Sequence, residues 1–159
     1  MSTNSRPLFI YGTLCALPLL AWALTGEASL VDVVTKLLRK ATVRGYKRCS
    51  LHHRDFPAAV EDENSSIDGY LLVPQTASQR RKLDDFEGEA YRVARVIVLV
   101  ENSGGPHQTV EADMYVWDGE MDDVSSEAWD LDVFIRDRLE DWIDLFEGME
   151  LVGDPDATT

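Results

Sequence analysis

The sequence predicts an α+β domain built on a largely antiparallel or mixed sheet. Three observations carry that class. Strand-like and helix-like stretches are interspersed without regular βαβ alternation. Two β-branched, partly alternating runs, YRVARVIVLV and TVEADMYVWD, flank ENSGGPHQ, whose Gly104, Gly105 and Pro106 point to a hairpin. The stretches SLVDVVTKLLRK and WDLDVFIRDRLEDWIDLF each space their apolar residues along one helical face.

In chain order, LFIY (8–11) is a short apolar run closed by Gly12, the pattern of a buried strand entering a turn. Pro18 suits the first turn of a helix, where its missing N–H costs nothing. Residues 29–40 read as an amphipathic helix with Ser29 as N-cap and Asp32 three residues on. ATVRGYKRCSL (41–51) and IDGYLLVP (67–74) read as strands, and EDENSS (61–66) as a solvated turn. TASQRRKLDDFE (76–87) is a helix capped by Thr76 or Ser78 and stopped by Gly88. After the hairpin, a single terminal helix follows, with Asp130 as N-cap and Val133, Phe134, Trp142, Ile143 and Phe146 on its apolar stripe.

At 159 residues and 45% hydrophobic, the chain is long enough to bury a core without disulfides. The reading is one domain over 7–150, between a flexible 1–6 and a polar tail at 151–159. A formal charge of -14, from 15 Lys and Arg against 29 Asp and Glu, argues against nucleic acid as partner. Cys15 and Cys49 sit in neither a disulfide framework nor a metal-ligand spacing, which favours a reducing, cytoplasmic setting. Residues 8–26 carry no charge. Gly12, Thr13 and Pro18 nevertheless interrupt the run, and its apolar part is shorter than the roughly 20 residues a spanning helix needs. It is therefore read as strand, turn and helix, retained in the mature chain, with no membrane partner. The sequence sets no oligomeric state.

His52 and His53 are neighbours, which a strand would send to opposite faces, and no HxxxH or HExxH accompanies them. No metal site is expected, and His107 belongs to the glycine-rich turn. Cys15 follows a turn and could be drawn as a nucleophile with His52 or His53 as base, but a small apolar Cys inside a helix is the commoner case. The turn Tyr11-Gly12-Thr13-Leu14 is compatible with two readings. Its N–H groups could converge on an anion, as nests and helix starts do, or it could be an ordinary tight turn.

Glu87 breaks a local rule. Helix C-termini favour cations, yet LDDFEG places Asp84, Asp85 and Glu87 there. Near like charges and apolar neighbours, the Glu87 carboxyl should hold its proton more tightly and could shuttle it. Phe-Glu-Gly recurs at 146–148, so the tripeptide alone reads equally as a helix end.

Taken together, FIYGTL, ATVRGYKR, FPAAV followed by IDGYLL, LDDFEGEAYRVARVIV and ADMYVW before WDLDVF appear in an order that resembles the gamma-glutamylcyclotransferase-like family, in particular its avirulence-induced-gene-like branch, over roughly residues 7–146. The resemblance implies a compact barrel-like sheet with flanking helices and a C-terminal helix, and no metal or organic cofactor. It implies that Tyr11, Gly12, Thr13 and Leu14 bind the glutamyl part of a small γ-glutamyl substrate. It further implies that Tyr91 lies near the site in contact with substrate, that Glu87 is the catalytic acid/base, and that Asp84 and Asp85 are support. The implied reaction is intramolecular: the α-amine attacks its own γ-carbonyl, giving 5-oxoproline and a free amine, in an enzyme of transferase or lyase type. Alternatives are a related lyase or acyl-transfer enzyme acting on another amide in a biosynthetic pathway, and a non-catalytic interaction module on the same scaffold.

Overall fold

Six strands build the sheet: β1 (Leu8–Ile10), β2 (Leu38–Leu51), β3 (Pro57–Leu72), β4 (Tyr91–Val100), β5 (Gln108–Trp117) and β6 (Val124–Ala128). The structure, a computed structural model, describes residues 6–74, 76–87, 91–101 and 108–147, with the side chains of 85–87 and 146–147 outside that description. Neighbouring strands run in the order β3-β1-β5-β4-β2, and β2 pairs back onto β3, so the sheet closes into a barrel with β6 added beside β2. The β1–β5 pair is parallel and the other pairings are antiparallel. Closure removes the unpaired edges that an open sheet would expose.

The barrel has two apolar layers. Alternate side chains of β4 and β5, among them Val96, Val98, Ala112, Met114 and Val116, fill its interior with Phe9 and Tyr11. Outside it, Leu8, Ile10 and Leu72 meet helix α1 (Leu17–Thr25). That helix is buried nearly all round, with Leu19, Leu20 and Ala21 fully enclosed, which is why residues 8–26 carry no charge. Each enclosed leucine contributes about 1.5–3 kcal/mol by leaving water. Pro18 stands in its first turn and Gly26, at φ 81°, ends it. Among the described residues no helix is long and apolar enough to cross a membrane.

Three expected elements differ. The helix expected at 29–40 is only α2 (Val31–Thr35), because Leu38 to Lys40 pair with Leu72 to Tyr70 and belong to β2. Ser29 does not cap it; its hydroxyl donates to Glu27. EDENSS is not a free turn but part of β3, where the register jumps from Arg44–Ser66 to Tyr46–Glu61. The displaced residues close on themselves, the Asn64 amide and the Ser65 hydroxyl both donating to Asp62. These two bonds, Ser65 foremost, hold the Asp62 carboxyl below its usual range. The terminal helix is two, α4 (Leu131–Asp137) and α5 (Leu139–Glu147), broken at Arg138, whose guanidinium reaches Asp55 and Asp141.

Other local signals fold as read. Thr76 accepts from the Gln79 amide at the start of α3 (Ala77–Glu87), and Asp130 accepts from the amides of Asp132 and Val133. β4 and β5 pair antiparallel from Tyr91–Trp117 to Val100–Gln108, as a hairpin requires. The connection itself, Gly88 and the polar tail lie outside the described residues.

Candidate active site

β1 delivers the chain at Ile10 to the end of the barrel, where Tyr11 stays buried and Thr13–Cys15 make one tight helical turn. The turn is closed by the Cys15 amide donating to the Gly12 carbonyl at 2.9 Å and the Ala16 amide to Thr13 at 3.0 Å. Gly12 has φ −113°, so no left-handed backbone demands glycine here. Space demands it instead. A Cβ would come within 3.0 Å of the Pro57 ring.

Pro57 in turn meets Tyr91, whose hydroxyl donates to the Pro57 carbonyl at 2.7 Å. Tyr91 is set among aromatic rings, 6.1 Å from Phe56, 6.5 Å from Tyr115 and 5.8 Å from Trp117 between centroids. Tyr11, Gly12, Thr13 and Tyr91 therefore line one crevice together with Phe56, Pro57 and Tyr115. Leu14 does not line it; its side chain is 1% exposed and belongs to the core. The free space inside is about 10 Å³, too little to hold a small organic molecule with the lining side chains where they stand.

Tyr115 is the residue the sequence did not single out. Its backbone carbonyl accepts the Tyr11 hydroxyl and its own hydroxyl donates to Asp84 Oδ1, each at 2.5 Å. One residue thus ties the turn to α3, whose last residue is Glu87. The Glu87 and Asp85 side chains lie outside the described residues. Asp84 also takes Arg80 Nε at 3.0 Å, and Arg80 Nη1 reaches Asp113 Oδ2 at 2.8 Å. Burial works against the charge on Arg80, but the two carboxylates outweigh it and hold the guanidinium firmly protonated. Arg6 adds a second cation to Asp113. Asp113, Tyr115 and Trp117 alternate along β5 and pair across from Arg95, Val93 and Tyr91. The period-two pattern in ADMYVW was the signal that could have placed Tyr115 beside Tyr91.

The other sequence candidates lie elsewhere. Cys15 is buried and its thiol donates to the Ile10 carbonyl, the setting of a core cysteine. His52 and His53 occupy the β2–β3 turn, and among the described residues no group of His, Cys, Asp and Glu is arranged to hold a metal ion. A wider groove of about 530 Å³ borders Cys15, Lys40, Arg48, Asp68, Trp129 and Asp130. It includes neither Tyr91 nor Tyr115, so volume alone does not mark the site.

Comparison with known proteins fits this architecture. Residues 8–131 match the family described as Gamma-glutamyl cyclotransferase, AIG2-like. The chain is 26% identical over 154 residues to AIG2-like protein B of Arabidopsis thaliana, covering 92% of this chain and 81% of that one. It is 28% identical over 123 residues to AIG2-like protein A, covering 73% and 72%. A solution structure from Arabidopsis thaliana superposes with a TM-score of 0.61 at 19% identity, covering 94% of this chain and 85% of the other. A crystal structure of an AIG2-like protein from mouse gives 0.53 at 14%, covering 82% and 88%.

Proposed function

Because the chain belongs to the gamma-glutamyl cyclotransferase, AIG2-like family, we propose that it cyclises a small γ-glutamyl compound to 5-oxoproline and releases an amine. The observation that carries this reading is the crevice that unites Gly12, Thr13 and Tyr91 and is linked through Tyr115 to Asp84 on the helix that ends in Glu87. The Tyr11 to Leu14 turn holds the glutamyl carboxylate on backbone N–H groups, and the aromatic rings of Phe56, Tyr91 and Tyr115 exclude water around the reacting chain.

A five-membered ring closure brings its own nucleophile. Holding the glutamyl chain folded supplies much of the rate, because the attack is already intramolecular. What remains is proton movement. The α-ammonium must lose a proton before it attacks the γ-carbonyl, and the departing amine must gain one. Glu87 performs both transfers. Asp84 is committed to Arg80 and Tyr115, and the family pattern gives the proton work to Glu87, three residues on and a helical neighbour. No step calls for a side-chain nucleophile, a metal or a cofactor.

The test is to incubate the full chain with γ-glutamyl amino acids, amines and dipeptides, with and without EDTA, and to detect 5-oxoproline by mass. At least one compound should be converted, equally in both conditions. If none yields 5-oxoproline, the proposal fails. If conversion needs added zinc or manganese, the single-carboxylate chemistry fails.

A further inference from the structure

We propose that Arg48, which lies outside the crevice lining, is the positioning residue that aims the Gly12 N–H at the substrate. This deepens the function proposed above and rests on it. Arg48 Nη1 donates to the Tyr11 carbonyl at 2.9 Å and more distantly, at 3.4 Å, to the Asp68 carbonyl. Its guanidinium lies 5.5 Å from the centre of the Trp129 ring. In a trans peptide the carbonyl and the following N–H point in opposite directions, and the described chain contains no cis peptide. A cation that holds the Tyr11 carbonyl on one side therefore turns the Gly12 N–H to the other, and Gly12 is a crevice residue. A charged donor on the carbonyl also polarises the peptide and strengthens that N–H as a donor.

The sequence device that brings Arg48 to this place is Gly45. It sits at φ 91°, where β2 slips register between Arg44 and Tyr46, and its site is otherwise open, with nothing near a would-be Cβ. The slip changes which alternate residues face the barrel. Ala41 and Val43 before it and Tyr46 after it pack on the same interior cluster, so positions 46 and 48 take the phase that 47 and 49 would have held. The far side of Arg48 is held as well. The Trp129 indole donates to the Asp55 carbonyl at 2.7 Å, and the Asp55 carboxylate takes Trp142 at 2.8 Å and Arg138 at 2.9 Å. The paired C-terminal helices thus support the stacking partner of the residue that sets the turn.

Two variants and two readouts test this. Arg48→Met keeps an unbranched side chain of similar length and removes both the donor and the cation over Trp129; Arg48→Lys restores a charged donor without the planar fork. For a substrate found in the panel, Arg48→Met should raise KM roughly 10- to 100-fold with kcat and its pH profile kept, since a bond to the substrate carboxylate is lost in ground and transition states alike. Arg48→Lys should fall between. The Gly12 amide resonance of the unliganded protein should move in Arg48→Met and return part way in Arg48→Lys, with melting temperatures of both variants close to the parent. An unchanged KM, or a loss confined to kcat, would overturn the assignment. So would a Gly12 resonance that stays in place. If the parent protein converts no panel compound, the activity is wrong, and the Gly12 resonance alone decides whether Arg48 orients this peptide.

Discussion

The hydroxyl of Tyr115 donates to Asp84 Oδ1 at 2.5 Å, and together with the Arg80–Asp113 ion pair it fastens the strand that borders the crevice to the helix that ends in Glu87. The same tyrosine holds the Tyr11 hydroxyl on its backbone carbonyl. Substitution at position 115 can therefore separate the two ties, because only one of them uses the side-chain oxygen.

Tyr115→Phe keeps the ring, its packing against Tyr91 and the bond to Tyr11, and deletes the bond to Asp84. Asp84 is partly exposed and keeps Arg80, so the loss in stability should be modest, about 1 kcal/mol in urea unfolding. Turnover to 5-oxoproline should fall further, on the order of 10-fold, because α3 loses the tie nearest the crevice and is held to β5 by Arg80 and Asp113 one turn further back. A variant with parent turnover would show that the Asp84 bond does not position the acid.

Gly69 tests the barrel seam. A Cβ there would lie 2.2 Å from the Ile10 carbonyl oxygen, a backbone atom that cannot swing aside. Gly69→Ala should destabilise by about 1–3 kcal/mol, as overpacked sites do. Because Ile10 leads directly into Tyr11, the affinity of the turn for substrate should drop with it. Thermal unfolding at the parent melting temperature would contradict the packing described.

The cysteines give a pH-dependent expectation. Burial, which outweighs the opposing pull of Lys47, raises the Cys49 thiol above its ordinary value. Only the thiolate reacts, so a disulfide reagent at pH 8 should modify the native chain slowly and both thiols at once in denaturant. The folded state keeps this proton more tightly than the unfolded one. The associated stability is complete below the unfolded thiol's pKa and is lost as pH rises through the folded value. Rapid modification of Cys49 in native buffer would contradict its burial.

What was readable in the sequence was what local chemistry decides. Thr76 and Asp130 cap their helices, Pro18 starts α1, and the LFIY strand and the β4–β5 pair stand where patterning placed them. The misreadings came from partners far along the chain. Leu37 and Leu38 continue a helical period, but Leu38 pairs with Leu72 and the sheet took it. A helical stripe runs through 131–146, but Arg138 turns out to Asp55, 83 residues away. The site divides in the same way. The turn and Tyr91 could be named from motifs, whereas Tyr115 and Arg48 act on Tyr11 across 104 and 37 positions, and no spacing in the sequence encodes that closeness.

The most direct measurement compares two glutamates with the same local sequence. Glu87 and Glu147 each follow Phe, precede Gly and end a helix, but Glu87 ends the helix whose Asp84 is bonded to Tyr115 of the crevice, whereas the helix of Glu147 meets the crevice from behind, through Trp142 against Phe56. Glu87→Gln keeps size and polarity while removing the proton carrier, and should lower 5-oxoproline turnover by on the order of 10² to 10⁴ with substrate binding and folding retained. Glu147→Gln should leave turnover unchanged. Full turnover in Glu87→Gln, or loss of activity in Glu147→Gln instead, would contradict the assignment of Glu87 as the catalytic acid and base.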